Sequence, residues 1–461
     1  VISLNKVILP DFGRAGIRPE IKSGTYLARM KKTLGKIRES GIDVIAIYAD
    51  REHSANMSYL SGFDPRFEEA LLLISKGDRK KLLVGNECMG CLPSEELGIE
   101  IELFQDFSLM GQTRNASRTL REILADFGIT AKTKVGCAGW KTQSASMIGL
   151  KSEAIEIPAY IVDLLRDLSG AKENITNVND IFMNNRDGLR IINEPEQIAF
   201  FEYAATVTSD GMLNFLKNLR AGVRENELSA FLNSRGLPLS CHTMTSFGEK
   251  ARRGLSSPSD NEAKPGTQFS AAFGVWGSLT ARAGFIAKSA DDIPSEIRGV
   301  YEKYVFNYFS IIAAWYNVIK VGANAGEVFA VAEKARNPEL IRFALNPGHL
   351  IHLDEWTNSP FSPENGTILQ SGMAIQVDII PRSAGLWCKS NMEDGIVLAD
   401  ENLRKTLAVE YPEMWKRIEA RRQFMKDKIG IKLDESVLPL SNIPAWLPPF
   451  GLNTEMVLVN S

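Results

Sequence analysis

Histidine is scarce in this chain. There are four in 461 residues, at His53, His242, His349 and His352. Any chemistry that needs an imidazole is confined to those four places. Cysteine is scarce too, with five scattered residues and an odd count. That excludes a disulfide framework and fits reduced thiols. Cys88 and Cys91 form a C-x-x-C, but no second pair stands at matching spacing, which excludes a four-cysteine zinc site. The motif follows the apparent strand Lys81–Val84 in a loop, so we read it as incidental. No apolar run reaches the roughly 20 residues of a membrane helix. The net charge is only −3, so neither nucleic acid nor an anionic membrane is an expected partner. The opening Val1-Ile2-Ser3-Leu4-Asn5-Lys6 lacks a charged-then-apolar export signal, and a cytoplasmic location is expected.

What is present is a globular composition, with 44% hydrophobic and 24% charged residues. The length exceeds one ordinary core, so more than one domain is expected. Residues 24–40 carry Tyr26, Leu27, Met30, Leu34 and Ile37 at helical spacing, and Gly41 ends the pattern. Val44–Tyr48 is too apolar for a half-exposed strand and reads as buried. Ala70–Ser75 and Lys81–Val84 read as paired strands. A helix follows at 116–127, a strand at 134–139 and a helix at 159–168. Residues 1–188 thus alternate strand and helix, which makes an α/β domain with a mixed sheet.

A different pattern starts at Asn193-Glu194-Pro195-Glu196. Asn193 is placed to cap a helix with Glu196 as its capping-box partner and Pro195 in the first turn. That helix runs to Leu219, and a second covers 225–234. Strands are expected at 241–248 and 268–276, a long helix at 295–319 and another at 327–334. Strands 373–380 and 395–398 complete an α+β block over residues 189–400. Residues 401–461 form a helical and proline-rich extension. Its segment 411–428 reads as a surface helix. Trp446, Leu447 and Phe450 are too apolar for a free tail, so the end is expected to pack on the body.

The chemistry concentrates between Asn346 and Asp394. Two of the four histidines, His349 and His352, follow the turn Asn346-Pro347-Gly348. Asp378 and Glu393 then lie in two β-rich runs. An imidazole after a glycine turn, with carboxylates on neighbouring strands, suits proton transfer or metal binding.

Several of these segments resemble one family. Asn56-Met57-Ser58-Tyr59-Leu60-Ser61-Gly62-Phe63 is similar to the N-terminal signature of creatinases, prolidases and aminopeptidases P. Asn193–Ile198 resembles their linker. Gly348-His349, Ser371-Gly372-Met373 and Met392-Glu393-Asp394 resemble three later motifs, in order and register. The resemblance spans roughly residues 24–400. It implies a pita-bread catalytic domain of antiparallel strands flanked by helices, and a homodimer.

The metallopeptidase branch implies two metal ions held by two Asp, one His and two Glu. His349 and Glu393 match the His and the last Glu, and Asp378 stands where a longer Glu is implied. Ala272 and Thr280 fall at the two Asp positions, and Gln268–Phe285 contains no acidic residue. Leu255 and Trp356 fall where the peptidases carry further histidines. Two dications about 3.5–4 Å apart need several bridging carboxylates, so metal ligands and cofactors are expected to be none. The metal-free creatinase branch implies His349 as the acid/base of C–N cleavage.

Under that reading Asp378 and Glu393 bind a cationic substrate nitrogen, and at least one of them has a raised pKa. Alternatively they pair with Arg282, which otherwise clamps a substrate carboxylate. His352 contributes to substrate binding or fills the core. His53, with Arg51, enters the partner's site across a dimer or lies on a surface loop. The expectation is a metal-free, homodimeric, cytoplasmic hydrolase of a C–N bond in a small amino-acid-like or short-peptide substrate. The alternatives are an Xaa-Pro aminopeptidase/dipeptidase-type metallopeptidase and a non-catalytic binding protein on the same fold.

Overall fold

The computed structural model describes residues 1–150 and 154–461 of the chain. They form two compact units, Ile21–Arg190 and Val1–Glu20 with Ile191–Ser461.

The unit Ile21–Arg190 is built on a six-stranded sheet. With β1 assigned to Ile2–Lys6 at the start of the chain, its strands are β2 (Val44–Ala49), β3 (Ala70–Ser75), β4 (Lys80–Val84), β5 (Glu100–Leu103), β6 (Val135–Ala138) and β7 (Ile175–Asn177). The order is β5-β4-β3-β2-β6-β7. The β2–β3 and β3–β4 pairs are antiparallel and the others parallel, so the sheet is mixed, as its pattern implies. Both faces are covered, which explains why β2 and β3 are apolar without alternation. Ile45, Ile47, Leu72 and Ile74 pack with Met30, Leu34 and Ile37 of the helix Ser23–Glu39. Val44, Ala46, Leu71 and Leu73 pack on the other side with Ile123, Leu124, Ile161 and Leu165. Within the Asn56–Phe63 signature, Ala55–Ser61 is a helix that Gly62 closes at φ +70°. Cys88 and Cys91 are both free thiols.

The second unit holds two four-stranded antiparallel sheets. One has the order β15-β10-β9-β8, from β8 (Met244–Phe247), β9 (Gln268–Val275), β10 (Ser278–Phe285) and β15 (Asn391–Glu393). The other has the order β12-β13-β16-β17, from β12 (His349–Leu350), β13 (Ala374–Gln376), β16 (Gly395–Leu398) and β17 (Val437–Pro439). Two further pairs, β11 (Ile341–Phe343) with β14 (Pro381–Ser383) and β1 with β18 (Met456–Asn460), complete it. The helices Pro195–Asn218 and Ser295–Val318 are each 24 residues long. Tyr301, Tyr304, Tyr308, Ile312 and Trp315 of the latter are buried in the main core. No helix among the described residues is long and apolar enough to cross a membrane.

Three local expectations are corrected. The first twenty residues belong with the second unit, because β1 pairs with β18 across nearly the whole chain. Asn193 does not cap the helix that starts at Pro195; its side chain donates to the Gly372 carbonyl at 2.9 Å. The helix expected at 225–234 stops at Ser229. The segment 411–428 does contain a surface helix, Pro412–Phe424, with Glu413, Lys416, Glu419 and Gln423 exposed. The helix Pro412–Phe424 buries Ile418 and Arg421 completely, and Arg421 and Arg417 both bind the buried Glu202 carboxylate at 2.8 Å. Trp446, Leu447 and Phe450 are buried in the core of this unit.

Candidate active site

The turn before His349 is built for glycine. Gly348 sits at φ +107°, and a Cβ there would meet Gln376 O, Phe361 and Trp315, each at 3.2 Å. Trp315 Nε1 donates to Pro347 O at 2.8 Å, and Gly348 N donates to Asp378 O at 2.8 Å. The long helix therefore fixes the turn from behind. Its Tyr308 does the same for β15, its hydroxyl accepting from Met392 N at 2.9 Å.

Antiparallel register then brings the side chains together. His349 pairs with Gln376, and Gln376 pairs with Gly395. Asp378 follows β13, and Glu393 ends β15. All three sequence-identified groups are buried: His349 at 0%, Asp378 at 4% and Glu393 at 4% exposure. His349 Nε2 lies 3.7 Å from Glu393 Oε1 and 3.9 Å from Asp378 Oδ2. The three donor atoms lie within 4.8 Å of one another, the one such histidine-containing or acidic trio among the described residues.

Two residues, Glu355 and Gln376, escaped the sequence reading, and Trp356 stood there only as the replacement of a peptidase histidine. Glu355 Oε1 lies 3.1 Å from His349 Nε2 and is the most accessible acid of the group. Trp356 stacks on the imidazole, with ring centroids 4.2 Å apart and planes 21° apart. Gln376 Nε2 donates to Glu393 Oε1 at 3.1 Å and to Leu279 O at 2.7 Å, which orients the carboxylate. A signal for Gln376 did exist. In Ala374-Ile375-Gln376-Val377-Asp378 the two polar residues are two apart in an apolar run, so they share one strand face.

The electrostatics follow from burial and crowding. Burial disfavours a charged imidazole, yet Glu355 first, then Glu393 and Asp378, outweigh it and hold His349 well above its ordinary pKa. Burial and the Glu393 charge push Asp378 well up. Burial also raises Glu393, against the pull of His349. The expectation of a raised carboxylate pKa is met on both acids. His349 Nδ1 donates to Leu350 O at 3.2 Å, which turns Nε2 toward the carboxylates. Asp378 Oδ1 is buried without a hydrogen-bond partner.

The remaining candidates are not part of this group. Arg282 is buried, and its guanidinium is spent on Asp394, Trp446 O, Ala281 O, Glu393 O and Ile443 O. This corrects its expected role as a substrate clamp and the alternative of pairing with Asp378 and Glu393. His352 is fully buried and edge-on to Phe201, with centroids 5.4 Å apart, a packing position rather than a substrate-facing one. His53 belongs to the other unit, where it lies 3.2 Å from Asp50 Oδ2 and packs on Trp140.

The donor set does not fit two metal ions. Ala272 lies on the Glu393 face, since Glu393 pairs with Ala281 and Ala281 with Ala272. Thr280 lies on the opposite face, 2.9 Å from Thr208 of the helix Pro195–Asn218. This corrects its placement at a ligand position: Leu279 and Ala281 are the β10 residues facing the site. With no carboxylate on β9 or β10, nothing bridges a second dication.

Residues 29–163 match the family model described as the creatinase/prolidase N-terminal domain. No curated protein matches the chain in sequence. Solved structures resemble it over most of its length. The prolidase from Thermococcus sibiricus is 18% identical, with a TM-score of 0.62 over 83% of this chain and 96% of its own. The prolidase from Pyrococcus horikoshii OT3 is 18% identical, with a TM-score of 0.60 over 81% and 95%. The Xaa-Pro dipeptidase from Bacillus anthracis is 17% identical, with a TM-score of 0.59 over 82% and 96%. The resemblance read from the sequence is therefore confirmed: the N-terminal domain is of the creatinase/prolidase type, and the chain has the prolidase fold.

Proposed function

We propose that this protein hydrolyses the C–N bond of a short peptide, in the manner of an Xaa-Pro dipeptidase or aminopeptidase. The observation that carries this reading is the buried His349–Asp378–Glu393 group, with Asp378 Oδ1 left without a hydrogen-bond partner. Buried polar atoms without partners are costly and signal a site that something else completes. The similar structures named above, prolidases and an Xaa-Pro dipeptidase, support a peptide over a creatine-like substrate. The metal-free creatinase assignment gains no support from them.

The residues divide the work. Asp378 and Glu393, with His349, are the residues that would hold a divalent cation, which when bound would polarise the scissile carbonyl. Trp356 fixes the plane of the imidazole. Glu355 has a solvent-accessible side and touches Nε2, so it is the residue placed to pass the proton between water and the leaving nitrogen.

A second reading rests on one observation. His349 stands among three carboxylates at 3.1, 3.7 and 3.9 Å, which suits an imidazolium that donates a proton directly, as in the creatinase branch. One assay separates the two. Purified protein is given Ala-Pro, Leu-Pro and Gly-Pro dipeptides and, separately, creatine, with Mn²⁺ or with chelator. The first reading expects dipeptide turnover that chelation abolishes. Chelator-resistant turnover of creatine alone favours the second. No turnover of either, or full activity in His349→Ala, overturns both.

A further inference from the structure

We propose that the His349–Asp378–Glu393 centre takes one divalent first-row cation, Zn²⁺ or Mn²⁺, and that the place of a second is closed by an apolar plug. Imidazole with two carboxylates is a donor set that suits these ions. The hydrogen bond from His349 Nδ1 to Leu350 O keeps the proton on that nitrogen. Nε2 then points at the carboxylates of Glu355, Glu393 and Asp378, 3.1, 3.7 and 3.9 Å away, a crowd of buried acids that a cation in place of the Nε2 proton stabilises. Asp378 Oδ1, buried and without a partner, is aimed into the same group.

The plug follows from the sheet register. Glu393, Ala281, Ala272 and Met244 are directly opposite one another across β15, β10, β9 and β8. Cross-strand partners point to one face, so the row beside the last ligand offers two methyl groups and a thioether. Met244, Leu279 and Ala281 are buried together there, with Ala272 and Cys241 packed against them. The segment carrying Cys241 lies close on β9, because a Cβ at Gly274 would meet its sulfur at 3.0 Å. A second dication about 3.5–4 Å from the first needs carboxylates between and beyond the pair. This row has none beyond Glu393.

The inference goes beyond the hydrolase reading, and its test is made without substrate. Full-length protein is stripped with chelator, dialysed and titrated with ZnCl₂ and separately with MnCl₂. Calorimetry and native mass spectrometry count the ions. One equivalent is expected, and Asp378→Asn should weaken its uptake by roughly 100-fold, since a ligand is lost. The Mn²⁺-loaded wild type should give the six-line electron paramagnetic resonance spectrum of an isolated ion, which needs no variant to fold. Two equivalents with an exchange-coupled spectrum overturn the proposal, and so does the absence of saturable uptake. Dipeptide hydrolysis can fail while one equivalent still binds, which would refute the hydrolase reading alone.

Discussion

Arg282 and Asp394 form a fully buried ion pair, with Nη2 2.9 Å from Oδ2. Asp394 directly follows Glu393, so the pair stands behind the acid strand of the site. The same guanidinium donates to Glu393 O at 3.1 Å and to Trp446 O at 2.9 Å. Ala445 N donates back to Asp394 Oδ2 at 3.1 Å. One cation thus ties β15 to the proline-rich C-terminal segment. Removing one partner of a buried pair leaves the other uncompensated, at a cost of about 3–5 kcal/mol. Asp394→Asn and Arg282→Met should each destabilise by that order in denaturant unfolding. Arg282→Lys should recover little, because an ammonium cannot reproduce the planar fork. A shift under about 1 kcal/mol in Asp394→Asn, the range of an exposed pair, would mean the pair is not the tie described.

Gly395 tests how Glu393 is oriented. It pairs with Gln376, and a Cβ there would stand 2.8 Å from Gln376 Oε1. The amide must then move, and its other end holds Glu393 Oε1 and Leu279 O. The Gly395→Ala variant should keep its fold and lose function first. We expect kcat on the preferred dipeptide to fall by roughly 10- to 100-fold, the range for losing a group that orients a site residue, with a melting temperature within a few degrees of wild type. Unchanged kcat would show that Gln376 does not orient the carboxylate.

The outcome shows which parts of the chain speak locally. The mixed sheet was legible because β2 and β3 are apolar on both faces, and both faces are covered. His349, Asp378 and Glu393 were legible as an imidazole and two acids on glycine-opened strands. Thr280 was misplaced by one position. Side chains alternate along a strand, so a one-residue slip turns a site residue to the opposite face. The motif did not fix that parity; the pairing of Ala281 with Glu393 does. Glu355 and Trp356 sit beyond a strand of two residues, where no period reports a direction. Asn193 had the right spacing for a cap, but the Gly372 carbonyl competes for its side chain and wins. The β1–β18 pairing left no trace in local pattern, because its partners are more than 400 residues apart.

Glu225 predicts a pH-dependent loss of stability away from the site. Its buried carboxylate accepts from Phe247 N at 2.8 Å, Ser259 N at 2.9 Å and Asn261 Nδ2 at 3.1 Å, and it pairs with Lys250. Burial alone would raise its pKa, but Lys250, Ser259, Phe247 and Asn261 together hold it below the ordinary carboxylate value. A group whose folded pKa is depressed stabilises the fold above its unfolded pKa, near 4.3. That contribution is lost as pH falls through the lower, folded value. Glu225→Gln should therefore cost about 2 kcal/mol at pH 7. The gap to wild type should close in unfolding curves taken at acid pH, below the folded pKa. A gap that stays constant with pH would assign the effect to packing instead of charge.

Ala272 offers the most direct probe of the apolar plug. Its methyl lies on the Glu393 face, between Ala281 and Met244. Ala272→Asp places a carboxylate on a row that already ends in Glu393, with Met244, Leu279 and Cys241 around it. An anion there has no cationic partner on the row, so the metal-free variant should be several kcal/mol less stable than wild type. A bound cation relieves that charge only in the folded state. Ligand present at 100 times its dissociation constant then stabilises by about 2.7 kcal/mol. Millimolar Mn²⁺ should consequently raise the melting temperature of Ala272→Asp more than that of wild type, and the variant alone should take up a second equivalent. Equal Mn²⁺ shifts in both proteins, with one equivalent each, would mean that Leu279, Met244 and Cys241 keep the second place closed even when an acid is supplied. A second equivalent already bound by wild type would remove the plug from the account.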